Sequence, residues 1–138
     1  MLVRVLLTLV TLGFSLIPVL ADFNKTHATN PLWTGHARYH VVWQVLSYVF
    51  IASISLYLIW GPPIGSTGSL GLKLAAAIAF AVYAGFFGAL FSMRIYEGRT
   101  YDDNGIQPIQ AGALSFDVNI TVFTAITMVL IVTAFLIP

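Results

Sequence analysis

The chain has 138 residues, of which 59% are hydrophobic and only 8% charged, whereas a soluble domain carries about a quarter charged residues. A chain this short cannot cover that much apolar side chain with a polar shell of its own, which argues against a soluble fold and for one domain embedded in lipid. The net charge of +1 supplies no basic face for nucleic acid, and the absence of cysteine removes disulfides, thiolate metal sites and cysteine nucleophiles.

The first apolar run, residues 3–20, is interrupted only by Thr8, Thr11, Gly13, Ser15 and Pro18. Hydroxyls this close to the backbone can bond their own helix. With Arg4 at its start and Val19-Leu20-Ala21 before Asp22, the run also mimics a secretory signal with a cleavage site; the expectation is that it is retained as a first span. The second run, residues 39–60, reaches the roughly 20 residues that a hydrocarbon core of about 30 Å requires. Trp33, Tyr39 and Trp43 mark one end and Tyr57 and Trp60 the other, where amphipathic rings settle at the two interfaces. Gly61-Pro62-Pro63 stops it, and Gly65-Ser66-Thr67-Gly68-Ser69 continues a short turn. The third run, residues 70–93, carries Ala77, Ala81, Gly85 and Ala89 at four-residue spacing beside Ala84, Gly88 and Ser92. Such a stripe predicts close helix packing, a main source of helix association in lipid. The fourth run, residues 120–137, has Thr121, Thr124, Thr127 and Thr133 as its polar groups.

Consecutive spans alternate in direction, so the expected fold is all-α, an integral membrane up-down-up-down four-helix bundle occupying residues 1–138. The loops 21–38 and 94–119 then emerge on one face. They hold Lys25, Arg38, Arg94 and Arg99, against Arg4 and Lys73 on the other side. That count points the loops to the cytoplasm, the signal-like start points them away from it, and the sequence assigns no orientation to the multi-pass protein.

All three histidines lie in or beside the first loop. Thr34 is a natural N-cap, which puts His36 and His40 at i and i+4 on one helix face with Gln44 a further turn along. Polar groups on a spanning helix avoid lipid, so the stripe is expected to point into the bundle. The second loop contributes Arg94, Tyr96, Glu97, Arg99, Tyr101, Asp102 and Asp103, with Asp117 and Asn119 where the fourth helix enters. Its length suits a lid or binding element, its apolar half from Ile106 to Phe116 suits the interface, and the two loops together suit a polar vestibule.

Several readings follow. In the first, a lipid or small amphipathic ligand sits between the helices with its polar end held by Asp22, Asn24, His27, Asn30, Trp33, His36, Arg38, His40, Gln44, Glu97 and Asp102. In the second, His27, His36 and His40 bind zinc, copper or iron, or act as acid and base in a membrane enzyme. In the third, the small-residue helix packs into a larger membrane complex or a homo-oligomer. In the plainest, the loops form a hydrogen-bonded cap in which Arg38 pairs with Asp22, Glu97 or Asp102.

The run Asp22-x-Asn24-x-Thr26-His27-x-x-Asn30-Pro31-x-Trp33-x-x-His36-Ala37-Arg38-Tyr39-His40 resembles a family of small, uncharacterised four-span membrane proteins, some of which carry an acetyltransferase label. That family's pattern tolerates Lys in the place of Arg38 and Phe in the place of Tyr39, implying that a cation and a ring are wanted there. More distantly, the four-span plan looks like the sterol isomerase and sigma-2 receptor superfamily, a resemblance that implies an intramembrane cavity for sterols or amphipathic amines. This chain lacks an obvious acidic pair within its spans.

Overall fold

A computed structural model describes residues 1–65, 68–101, 103 and 105–138. Among the described residues, four helices are long and apolar enough to cross a membrane: α1 (Leu2–Asp22), α2 (Gly35–Trp60), α3 (Leu70–Ser92) and α4 (Val118–Phe135). This is the all-α four-helix layout expected, and its four long apolar helices fit a multi-pass membrane protein. Where the helices start is decided by caps. The Thr34 hydroxyl accepts from the Ala37 N–H at 3.2 Å and starts α2 before residue 39, and Asp117 Oδ1 accepts from the Ile120 N–H at 2.9 Å and starts α4 before residue 120.

The helix resembling a cleavable signal is the centre of the bundle. α1 packs against all three other helices, while α2 and α4 stand at opposite corners. Leu7, Val10 and Phe14 of α1 are fully buried against Ile59 of α2, Tyr83 of α3 and Leu130 of α4. Its hydroxyls close on their own helix: Thr8 donates to the Arg4 carbonyl, Thr11 to Leu7 and Ser15 to Thr11, at 2.8, 2.8 and 2.9 Å. Arg4 has a structural use that a topology count does not register. Its guanidinium donates to the Ile59 carbonyl and lies 5.9 Å from the Trp60 ring, whose Nε1 donates to Thr8 Oγ1 at 2.9 Å. A cation at the carbonyl end of α2 is favourable against the helix dipole.

Within the chain, the small-residue stripe of α3 is not the face that packs on the other helices. Ala77, Ala81, Ala84, Gly85, Gly88 and Ala89 are exposed, and a Cβ built on Gly85 or Gly88 would meet nothing within 4 Å. The face that meets the bundle is Gly71, Leu72, Ala75, Ala76, Ala79 and Tyr83. Gly71 carries the close approach, because a Cβ there would lie 2.6 Å from the Leu58 carbonyl oxygen. Small residues at a four-residue repeat can lie on more than one face of a helix, and periodicity alone does not choose among faces.

Among its described residues, the second long loop carries structure of its own. After a 3-10 turn at Met93–Ile95 the chain stops on Glu97, at φ +55°, with the Gly98 N–H reaching back to the Met93 carbonyl at 2.9 Å. That six-to-one bond over a left-handed residue is a Schellman closure. Further on, β1 (Ile109–Ala111) pairs antiparallel with β2 (Leu114–Phe116), Ile109 opposite Phe116. Gly112 takes φ +64° at the first turn position, where a two-residue hairpin favours glycine. Ile109, Leu114 and Phe116 are exposed.

Candidate functional site

The loop after α1 braces itself. The Asn24 amide donates to the Ala21 carbonyl at 2.8 Å, while its Oδ1 accepts the Thr26 N–H and hydroxyl at 2.8 and 2.6 Å. Asn30, 1% exposed, donates to the Thr26 carbonyl at 2.8 Å and accepts the Leu32 N–H at 2.9 Å. Both asparagines thus spend their amides on backbone, ending α1, turning the chain and delivering Thr34 to cap α2. What the brace holds in place is His27. Its Nδ1 lies 2.7 Å from Thr26 Oγ1 and 3.6 Å from Asp22 Oδ1, and its ring stands edge-on to Trp33 with centroids 5.2 Å apart.

Beneath this loop, between the ends of the four helices, is a cavity of about 370 Å³. Its depth is apolar: Ile17 and Pro18 of α1, Phe86 and Leu90 of α3, Phe123 of α4. Phe86 stacks on Phe123 at 4.4 Å, and Phe123 meets Tyr83 edge-on at 5.6 Å, so packed rings form the floor. Its mouth is polar, with Asp22, His27, Gln44, Arg99, Thr100 and Asn119. A second cavity of about 160 Å³ shares Asp22, His27, Arg99, Thr100 and Asn119 with the first and is roofed by Trp33 of one loop and Tyr101 and Ile106 of the other. The two long loops therefore do meet on one face and enclose a vestibule.

The sequence-predicted site residues divide. Asp22, His27 and Gln44 line the larger cavity and Trp33 the smaller. Asn24 and Asn30 are structural, as above. Arg38 and Glu97 line neither cavity, and Glu97 is the left-handed residue that closes α3. Asp102 lies outside the described residues. The expected pairing of Arg38 with Asp22 or Glu97 is not found, and Asp22 pairs with His27 instead.

The polar stripe of α2 points into the bundle only in its lower half. Gln44 Nε2 donates to Tyr48 Oη at 3.2 Å, and both border the cavity. His36 and His40 are exposed, with Nε2 atoms 3.0 Å apart and rings edge-on at 4.5 Å, beside Tyr39 and Trp43. A helix turns about 100° per residue, so a row spaced every four residues drifts around the axis and leaves the bundle at its rim. The three histidines accordingly do not converge, and no group of three His, Asp or Glu side chains that could hold a metal ion occurs among the described residues.

Sequence places Arg99 and Asn119 at the loop end and Tyr48 on the stripe of α2 without marking them as cavity residues, and Thr100 carries no signal at all. Thr100 is fixed to the first turn of α4, its hydroxyl donating to Asp117 Oδ2 and its carbonyl accepting from Asn119 Nδ2 at 2.8 Å. That clamp sets Arg99 at the mouth, and it joins residues 17 and 19 positions apart, beyond the reach of local pattern. No family model, curated protein or solved structure matches the chain.

Proposed function

We propose that the chain binds a small amphipathic molecule between its helices, with the apolar part of the ligand in the larger cavity and its polar head at the loop end. The observation that supports the reading is the graded wall of the 370 Å³ cavity, from packed rings at its floor to Asp22, His27 and Arg99 at its mouth. That volume falls in the range of about 300–1,000 Å³ usual for small-molecule sites, and an apolar interior with a few convergent polar groups is their usual chemistry.

Ala89 lines the cavity and is itself exposed, so a tryptophan there can fill the space without entering the core. Native mass spectrometry in mild detergent is expected to show a small-molecule adduct on the wild type and its loss in Ala89→Trp. An adduct that survives in a folded Ala89→Trp protein would count against the cavity as the site.

A second reading rests on His36 and His40. Two imidazole nitrogens 3.0 Å apart match neighbouring ligands of one transition metal at about 2.0–2.1 Å from each nitrogen. Zinc, copper or iron held there would need further ligands from solvent or a partner. Elemental analysis is expected to find metal at close to one per chain, and none in a His36→Ala, His40→Ala double variant; a metal-free wild type sinks this reading.

A further inference from the structure

We infer that the head group received where the two cavities meet is a hydroxyl, donated to Nε2 of His27, so that the occupant is an alcohol-headed amphiphile. The inference rests on the ligand-site reading above. Its starting point is the set of bonds behind His27, which determines the tautomer.

Asn24 Nδ2 donates to the Ala21 carbonyl at 2.8 Å, so Oδ1 is the acceptor that faces Thr26. The Thr26 hydroxyl lies 2.6 Å from that Oδ1, and since neither oxygen can approach so closely without a shared hydrogen, the hydroxyl donates to Asn24. A hydroxyl has one proton and two lone pairs. With its proton spent, Thr26 Oγ1 offers only a lone pair to His27 Nδ1 at 2.7 Å, and Nδ1 must be the donor. The Asp22 carboxylate, 3.6 Å from the same nitrogen, favours a hydrogen there as well. In the neutral ring, a hydrogen on Nδ1 leaves Nε2 a bare acceptor. Nothing among the described residues bonds to Nε2, and His27 borders both cavities.

Arg99 borders the same two cavities, and its guanidinium has no hydrogen bond or ion pair among the described residues. Among the described residues, Nε2 of His27 and the guanidinium of Arg99 thus offer an acceptor and donors to the same two cavities, beside the Asp22 carboxylate. A hydroxyl satisfies both, giving its proton to Nε2 and accepting from Arg99. A carboxylate brings no proton for Nε2 and adds a second negative charge beside Asp22. An ammonium would lie beside Arg99.

The test uses four probes with one chain length: dodecanol, dodecyl methyl ether, dodecanoate and dodecylammonium. Their affinities are measured on the full chain in lipid nanodiscs. Dodecanol is expected to bind about tenfold more tightly than its ether, the worth of one well-made hydrogen bond. In His27→Phe, which keeps a ring against Trp33, that preference should vanish. Nitrogen NMR of histidine-labelled wild type should show the Nδ1–H tautomer for His27, a readout that needs no variant to fold. Equal affinity of alcohol and ether, or an Nε2–H tautomer, overturns the hydroxyl assignment; so does a preference for dodecanoate lost in Arg99→Gln, or a preference for dodecylammonium. In each of those cases, displacement of the probes by Ala89→Trp leaves the cavity reading standing. If no probe binds the folded wild type, the cavity reading falls with the inference.

Discussion

Tyr83→Ala is expected to lower the stability of the bundle by about 3–5 kcal/mol, the range for removing a buried ring and leaving its cavity. Tyr83 is 1% exposed in α3 and sits where three helices meet. Its ring meets Phe14 of α1 and Phe123 of α4 edge-on, with centroids 6.1 and 5.6 Å apart. Its hydroxyl donates to the Val10 carbonyl at 2.8 Å, in the space left by Gly13, where an added Cβ would stand 2.7 Å from that oxygen. In lipid the bundle gains little from burying apolar surface, so close packing of this kind carries the association. Tyr83→Phe separates the two contributions. It keeps the ring and loses only the hydroxyl, and because the Val10 carbonyl is already an acceptor within α1, the cost should be about 0.5–1.5 kcal/mol. Thermal unfolding in detergent, followed by size exclusion, measures both. If Phe proves as damaging as Ala, the hydrogen bond and not the ring is what matters.

The second large effect is expected at Asn30. Asn30→Ala leaves the Thr26 carbonyl and the Leu32 N–H without the partners they have at 2.8 and 2.9 Å, at about 1–3 kcal/mol for each group left unsatisfied in a buried place. Asn30→Asp is nearly the same size and keeps the acceptor for Leu32. It nevertheless places carboxylate oxygen against the Thr26 carbonyl and buries a charge, so it should be no better than alanine. Because Thr26 carries both the hydroxyl that meets His27 and the carbonyl that meets Asn30, either variant should also weaken ligand binding, read by the same native mass spectrometry as Ala89→Trp. An Asn30→Asp protein with wild-type stability and an intact adduct would show that Asn30 is not the brace of the loop.

These two residues also show what kind of information each level carries. Asn30 stands in the polar run whose composition suits a binding loop, and the structure turns most of that run into scaffold. Asn24, Thr26, Asn30 and Thr34 hold one another and the backbone, leaving Asp22, His27 and Trp33 to face the cavities. A short polar side chain bonds its neighbours in sequence before it bonds anything distant, so a dense run of Asn, Thr and Asp is first a description of a turn. Tyr83 carries no distinguishing signal in the sequence, because an aromatic within a hydrophobic span looks the same there as one that faces lipid.

Sequence alone determined four helices long and apolar enough to cross a membrane, their alternation and the gathering of both long loops at one end. These follow from hydrocarbon thickness, from the cost of polar groups in lipid and from the geometry of a chain that must turn back after each span. Tertiary structure alone decided which face of each helix is inside. It put α1 at the centre, kept the alanine and glycine stripe of α3 off the packed core while Gly85 and Ala89 came to line the cavity, left His36 and His40 at the rim, and drew Arg99 and Thr100 to the mouth through Asp117 and Asn119. The physical reason is that lipid and helix interior are both apolar, so hydropathy does not tell one face from the other; that choice belongs to the fit of side chains across helices far apart in the chain.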